Sequence, residues 1–156
     1  MGKEFNKNKV AVITGGAKKI GRATAKKLAE QGFNILIHTG GKSIEEAKKT
    51  VEIVKEYGVK SNFVDGDLLN LTTINKIKEA AIKLGTPSVL INNAALRINE
   101  DFEKITYEDW KKVMTVNVDA SFLCAQALIG YMTKQKWGRI VNIGGLSGHI
   151  GAKSRA

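Results

Sequence analysis

Val10-Ala11-Val12-Ile13-Thr14-Gly15-Gly16-Ala17-Lys18-Lys19-Ile20-Gly21 is the stretch that decides the fold. Its first four residues are apolar without alternation, and three of them are β-branched. Such a run suits a strand buried on both faces, which is the setting of a parallel sheet. Small residues at 15–17 then break it. From Ile20 the apolar and small positions Ala23, Ala25, Leu28 and Ala29 follow helical spacing, and Gly32 reads as the stop.

The same unit recurs outward from this point. Asn34–Ile37, Ser61–Val64, Ser88–Asn92 and Arg139–Ile143 read as further strands. Between them lie amphipathic stretches. Ser43-Ile44-Glu45-Glu46 has the spacing of a capping box and opens a helix with Ala47, Val51 and Val54 on one face. Leu71, Ile74, Ile77, Ala81 and Leu84 mark the next helix, closed by Gly85. Thr106-x-x-Asp109 starts a helix with Trp110, Val113 and Met114, and a further stretch runs from Asp119 through Phe122, Ala125, Leu128 and Ile129. Alternation of this kind predicts an α/β fold. Right-handed crossovers make it a doubly wound parallel sheet, a three-layer α/β/α Rossmann arrangement within a single domain over 1–156.

Composition narrows the function classes. With 43% hydrophobic and 26% charged residues in 156, the chain is an ordinary globular sequence rather than a disordered one. No apolar run approaches the roughly 20 residues that span a bilayer, so no membrane role is expected. The single cysteine, Cys124, excludes an intrachain disulfide and a cysteine-based zinc site; a cytoplasmic, reducing setting follows as the default. No metal-ligand spacing is present. The net charge of +10 invites a basic nucleic-acid-binding reading. Against it, the lysines are scattered over helical stretches and do not interleave with aromatics, so a solvated basic surface is favoured.

The turn at 14–21 carries chemistry. Small residues let the backbone approach a pyrophosphate, and a helix start offers free N–H groups at the positive end of the helix dipole. A P-loop is excluded. Gly16 and Gly21 have its separation, but Arg22-Ala23 stands where Lys-Ser/Thr is required.

The segment resembles the cofactor turn T-G-x-x-x-G-x-G of the short-chain dehydrogenase/reductase family. Gly15 and Gly21 match the outer glycines, and Lys19 replaces the middle one, as in pteridine-reductase-like members. Four further motifs follow in order. Asp67-Leu68 resembles the pair that contacts adenine. Asn92-Asn93-Ala94-Ala95 resembles N-N-A-G. Asn117 resembles the asparagine of the catalytic tetrad, and Gly138–Ile143 resembles the strand that leads to the catalytic serine. Within the family the chain looks like the N-terminal, cofactor-binding part of a 3-oxoacyl-carrier-protein-reductase-like member. The resemblance implies hydride transfer between a nicotinamide cofactor and a ketone/alcohol pair, a small carbonyl substrate, and a homodimer or homotetramer. Gly15, Ala17, Lys18, Lys19, Ile20, Gly21, Lys42, Ser43, Asp67, Leu68, Asn93 and Ala94 are the implied cofactor-binding residues.

The end of the second strand bears on which cofactor. An NAD site places a carboxylate there. Here His38-Thr39-Gly40-Gly41-Lys42-Ser43 has none, and Lys18, Lys19 and Lys42 are positioned to surround a 2′-phosphate. NADP(H) is therefore expected over NAD(H). His38 reads as a strand-end polar residue.

The catalytic set is only partly present. The resemblance implies Tyr, Lys, Ser and Asn, of which Asn117 is the clear match. Gly145 stands at the serine position, and Ser147, two residues on, is the alternative hydroxyl. The Tyr and Lys are expected beyond Ala156, which makes this chain a truncated or partial family member. A catalytically weak or inactive NADP-binding relative is the alternative reading. Trp110, Met114 and Phe122 belong either to a subunit contact or to the core, and both readings stay open. Cys124, among alanines and leucines, reads as a buried small hydrophobe.

Overall fold

Strand β1 (Lys9–Ile13) takes the centre of the sheet because Val10, Ala11, Val12 and Ile13 all lose their whole surface to neighbours. In the computed structural model, which describes residues 3–151, β1 pairs in parallel with β2 (Asn34–Thr39) on one side and β4 (Thr86–Asn92) on the other. β3 (Ser61–Asp65) and β5 (Arg139–Asn142) flank these, giving the order β3-β2-β1-β4-β5. The direction of winding reverses between β1 and β4, the switch point at which doubly wound sheets bind ligands. The expected fold class is the observed one.

Alternation along each strand divides the core into two layers. Ala11, Ile13, Ile35, Ile37, Val89 and Ile91 point to one face, which is covered by α2 (Lys19–Glu30) and α3 (Ile44–Lys55). Val10, Val12, Leu36 and Leu90 point to the other, under α4 (Leu71–Leu84) and α6 (Ala120–Lys134). A short α1 (Lys3–Asn6) precedes β1. Burial of this kind is the main driving force of the fold, at about 1.5–3 kcal/mol for each large aliphatic side chain.

Several details differ from the sequence expectation. β4 begins at Thr86 rather than Ser88. Pro87 cannot donate to a ladder, and the pairing with β1 shifts register between Val10 and Ala11 where Ser88 is bulged out. The capping box at Ser43 does not form: the Ser43 side chain makes no cap hydrogen bond, and the Glu46 carboxylate pairs with Arg22 instead. Thr106 does cap its helix, with Oγ1 accepting from the Asp109 amide at 3.1 Å. Most importantly, the two expected helices around 107–134 are one. α5 (Tyr107–Met114) passes through a π turn (Thr115–Asp119) directly into α6, making a helical run of 28 residues.

By length and composition that run is apolar enough to cross a membrane, which the apolar-run criterion did not foresee. One stripe of it, Ala120, Cys124, Leu128 and Met132, is buried against β4 and α4. Trp110 and Phe122 do not join the core: Trp110 is 46% and Phe122 is 61% exposed, which removes the intrachain-core reading for both. Met114 is half-buried.

Candidate functional site

The C-terminal ends of β1 and β4 part at the switch point, and the turn at 14–21 lies across the gap. Its three motif positions have separate physical reasons. Gly15 has φ +62°, and a Cβ there would lie 2.9 Å from the Ala94 Cα. Gly21 has ordinary helical backbone, but a Cβ would come within 2.4 Å of the Gly15 carbonyl oxygen. The middle position, Lys19, has φ +50°, a left-handed conformation that costs an L-residue about 1–2 kcal/mol. The chain keeps the glycine geometry there while carrying a lysine.

Two side chains hold this turn from below. Thr14 Oγ1 accepts from the amides of Asn93 and Ala94, both at 3.0 Å. Asn93 Nδ2 donates to the carbonyls of Thr14 and Gly15, both at 3.0 Å. Both N–H bonds of the Asn93 amide are thus committed, so its part is to fix the turn on β4. From the side, Arg22 Nη2 donates to the Ala17 carbonyl at 2.8 Å, and Thr50 Oγ1 donates to the same oxygen at 2.7 Å. Arg22 also reaches the Glu46 carboxylate, whose pKa it holds below the usual carboxylate range. Ala17 is therefore a buried structural residue whose carbonyl is already taken.

What the turn leaves open is the start of α2. Lys18 is the N-cap, in extended backbone, and makes no side-chain cap. The amides of Lys19, Ile20 and Gly21 belong to the first helical turn and have no intrahelical acceptor. Arg22 is the first whose N–H closes back, onto the Lys18 carbonyl at 3.3 Å. Lys18, Lys19 and Ile20 are exposed beside these amides.

The second wall is made by the loops after β2 and β3. Lys42 is exposed in the loop Gly40–Ser43. That loop is pinned by a carboxylate from the neighbouring strand: Gly41 N–H donates to Asp65 Oδ1 at 2.7 Å. Asp67 Oδ1 accepts from the Leu69 amide at 3.0 Å, a closed Asx turn, and Leu68 is buried in the lower core layer. Sequence reasoning missed Thr14, Arg22, Thr50 and Asp65. Of these only Thr14 lies inside a motif; Thr50 and Asp65 meet the site across 33 and 24 residues of chain.

Next to the switch point, a cavity of about 730 Å³ opens between β4, β5 and the π turn. Ala94, Asn117, Phe122, Asn142 and Gly145 line it. Asn117 sits in the π turn, and its side chain clamps the backbone of Leu96: Oδ1 accepts from the amide at 2.8 Å and Nδ2 donates to the carbonyl at 2.9 Å. Gly144 has open space where a side chain would stand. Ser147 opens the short α7 (Ser147–Ile150), and its side chain lies outside the described residues. Among the described residues no group of three or more His, Cys, Asp or Glu is placed to hold a metal.

Comparison with known proteins agrees with this geometry. The family model for short chain dehydrogenase matches residues 9–156. The chain is 40% identical over 145 residues to 3-oxoacyl-[acyl-carrier-protein] reductase FabG of Aquifex aeolicus, covering 92% of this chain and 58% of that one. It is 39% identical over 142 residues to an uncharacterized oxidoreductase, YohF, of Escherichia coli, covering 90% and 56%. The crystal structure of acetoin dehydrogenase YohF from Salmonella typhimurium superposes with a TM-score of 0.89 at 32% identity, covering 96% of this chain and 59% of that one. The chain thus spans about three fifths of the length of these relatives. Fold, turn geometry and sequence agree that it belongs to the short chain dehydrogenase family.

Proposed function

We propose that the chain carries the NADP(H) site of an oxidoreductase that interconverts a ketone and an alcohol. The observation that carries this reading is the uncapped start of α2, held open beside the switch point by Thr14 and Asn93. The site passes a test of fit. Gly15 packs on Ala94 and Gly21 on the Gly15 carbonyl with no room for a Cβ, which keeps the turn tight against the helix start, and the amides of Lys19, Ile20 and Gly21 match a pyrophosphate.

The residues divide the work. The amides of residues 19–21 take the pyrophosphate. Lys18, Lys19, Lys42 and Ser43 receive the 2′-phosphate, whose charge suits ammonium groups. Asp67 bounds the adenine, and Leu68, buried in the core, anchors the loop that carries it. Asn93 and Ala94 close the floor beneath the nicotinamide side. Bound nicotinamide would supply or accept the hydride. The carbonyl substrate would occupy the cavity of about 730 Å³ beside Asn117. There Asn117 holds the π turn on Leu96 and would support the proton relay, and Ser147, whose side chain lies outside the described residues, is the hydroxyl the sequence offers for the substrate oxygen. The protein is read as cytoplasmic and as a homodimer or homotetramer built on the α5–α6 face.

Isothermal titration with NADPH and NADH tests the cofactor reading. Tighter binding of NADPH, lost on Lys19→Glu, is expected; equal or absent heats would overturn it. One observation favours a second reading, a nucleotide-binding protein with little turnover: a glycine stands at the serine position. NADPH binding without oxidation on any panel of ketones, measured on a chain of the relatives' full length, would select that reading.

A further inference from the structure

We propose that His38 is a positioning residue that ties the two walls of the nucleotide crevice together. The inference deepens the cofactor reading above and rests on it for its binding arm. His38 is 3% exposed and sits at the C-terminal end of β2. Its backbone carbonyl accepts from the Gly16 amide at 3.0 Å, which attaches β2 to the glycine turn. Its side chain goes the other way: Nε2 lies 2.9 Å from the Gly66 carbonyl oxygen. A carbonyl only accepts, so Nε2 carries the hydrogen. Gly66 immediately precedes Asp67 and Leu68. It is packed so closely on α4 that a Cβ would lie 2.6 Å from Thr73 Oγ1. One residue therefore holds the glycine turn by its backbone and the adenine-side loop by its ring.

The second observation is a cost. Nδ1 of His38 is buried and, among the described residues, has no hydrogen-bond partner. An orphaned acceptor inside a core is destabilising, and an aliphatic side chain, like Leu36 on the same face, would avoid it. A residue that burial alone disfavours is kept where its other nitrogen fixes a loop. Burial also keeps the ring neutral, with its pKa below that of free imidazole, so the Nε2–H donor persists at neutral pH.

The experiment compares the chain with His38→Leu and His38→Gln, the latter keeping an amide N–H near the place of Nε2. Binding of NADPH, of 2′,5′-ADP as the adenosine-side probe and of reduced nicotinamide mononucleotide is measured by titration calorimetry. His38→Leu is expected to weaken NADPH and 2′,5′-ADP by about three- to tenfold, the value of one hydrogen bond. It should leave the mononucleotide unchanged, and His38→Gln should restore most of the loss. In parallel, amide exchange at Leu69 and Asn70 is expected to accelerate in His38→Leu and not in His38→Gln. Unchanged binding and exchange in a folded His38→Leu, or equal losses in both variants, would overturn the tether. Failure of the parent chain itself to bind NADPH would instead overturn the cofactor reading, and the exchange data would still decide the tether.

Discussion

Lys19 shows how one position can serve two demands that conflict. The backbone there needs φ +50°, which favours glycine, while a 2′-phosphate would favour a cation. Lys19→Gly is therefore expected to stabilise the fold by about 1 kcal/mol, read as a higher Tm, and to weaken 2′,5′-ADP by up to about fivefold. A drop in Tm would show that the lysine side chain contributes packing instead. Gly21 has the opposite character. Gly21→Ala places a methyl 2.4 Å from the Gly15 carbonyl oxygen, so a loss of about 1–3 kcal/mol and of nucleotide binding is expected. The motif was legible in the sequence because these constraints are local. What Asn93 does was not: spacing suggests that it meets the cofactor, whereas both of its N–H bonds grip the turn. Which of two adjacent surfaces an amide faces is a matter of tertiary geometry.

Strands and helices were legible for a related reason. β1, β2 and β4 are buried on both faces, so their apolar runs announce themselves without alternation. The misreadings fall where a tertiary partner outbids a local signal. Glu46 leaves the Ser43 box for Arg22, and the break expected near Asn117 is bridged by a π turn whose asparagine clamps Leu96. The buried elements also set two solution properties. Cys124, 1% exposed within α6, has its thiol pKa pushed up by burial to about 11. A thiol reagent at about pH 8 is expected to leave it unmodified in the folded chain and to label it in denaturant; rapid labelling without denaturant would mean that α6 opens locally. His38 sets a pH window. Burial dominates its lowered pKa, outweighing the raising effects of the Gly66 carbonyl and of Asp65 and Asp67. Above about pH 6.5 the ring is neutral in both folded and unfolded chains. Below it, the unfolded chain takes up a proton that the folded chain refuses, so stability falls as pH drops toward the depressed folded value. Thermal melts between about pH 7 and 5 should show that fall, and His38→Gln should flatten it.

At the scale of the whole molecule, the faces left open say where other chains belong. Lysines along α2, α3 and α5 pair with acids three residues earlier or later, as in Lys27–Glu30, Lys48–Glu45, Lys55–Glu52 and Lys111–Glu108, which makes these faces solvated surfaces. The outer side of the 28-residue helical run is different. Tyr107, Trp110 and Ile129 are exposed along it, and Val118 and Phe122, exposed where the run borders the cavity, extend the apolar surface. Its length and apolarity would also satisfy a bilayer. Insertion, however, would strip Ala120, Cys124, Leu128 and Met132 from the sheet and uncover β4, at about 1.5–3 kcal/mol for each large side chain. A protein surface can cover the outer side without that loss, and a stripe containing Trp and Tyr is of the composition that interfaces favour. Self-association through α5 and α6 is therefore expected. Sedimentation velocity should give a dimer or larger species that dissociates on combining Trp110→Glu with Phe122→Glu, with the far-ultraviolet spectrum unchanged. Vesicles of neutral lipid should not carry the parent chain down on centrifugation. A monomer at tens of micromolar, or co-sedimentation with the vesicles, would remove the apolar face from the list of subunit contacts.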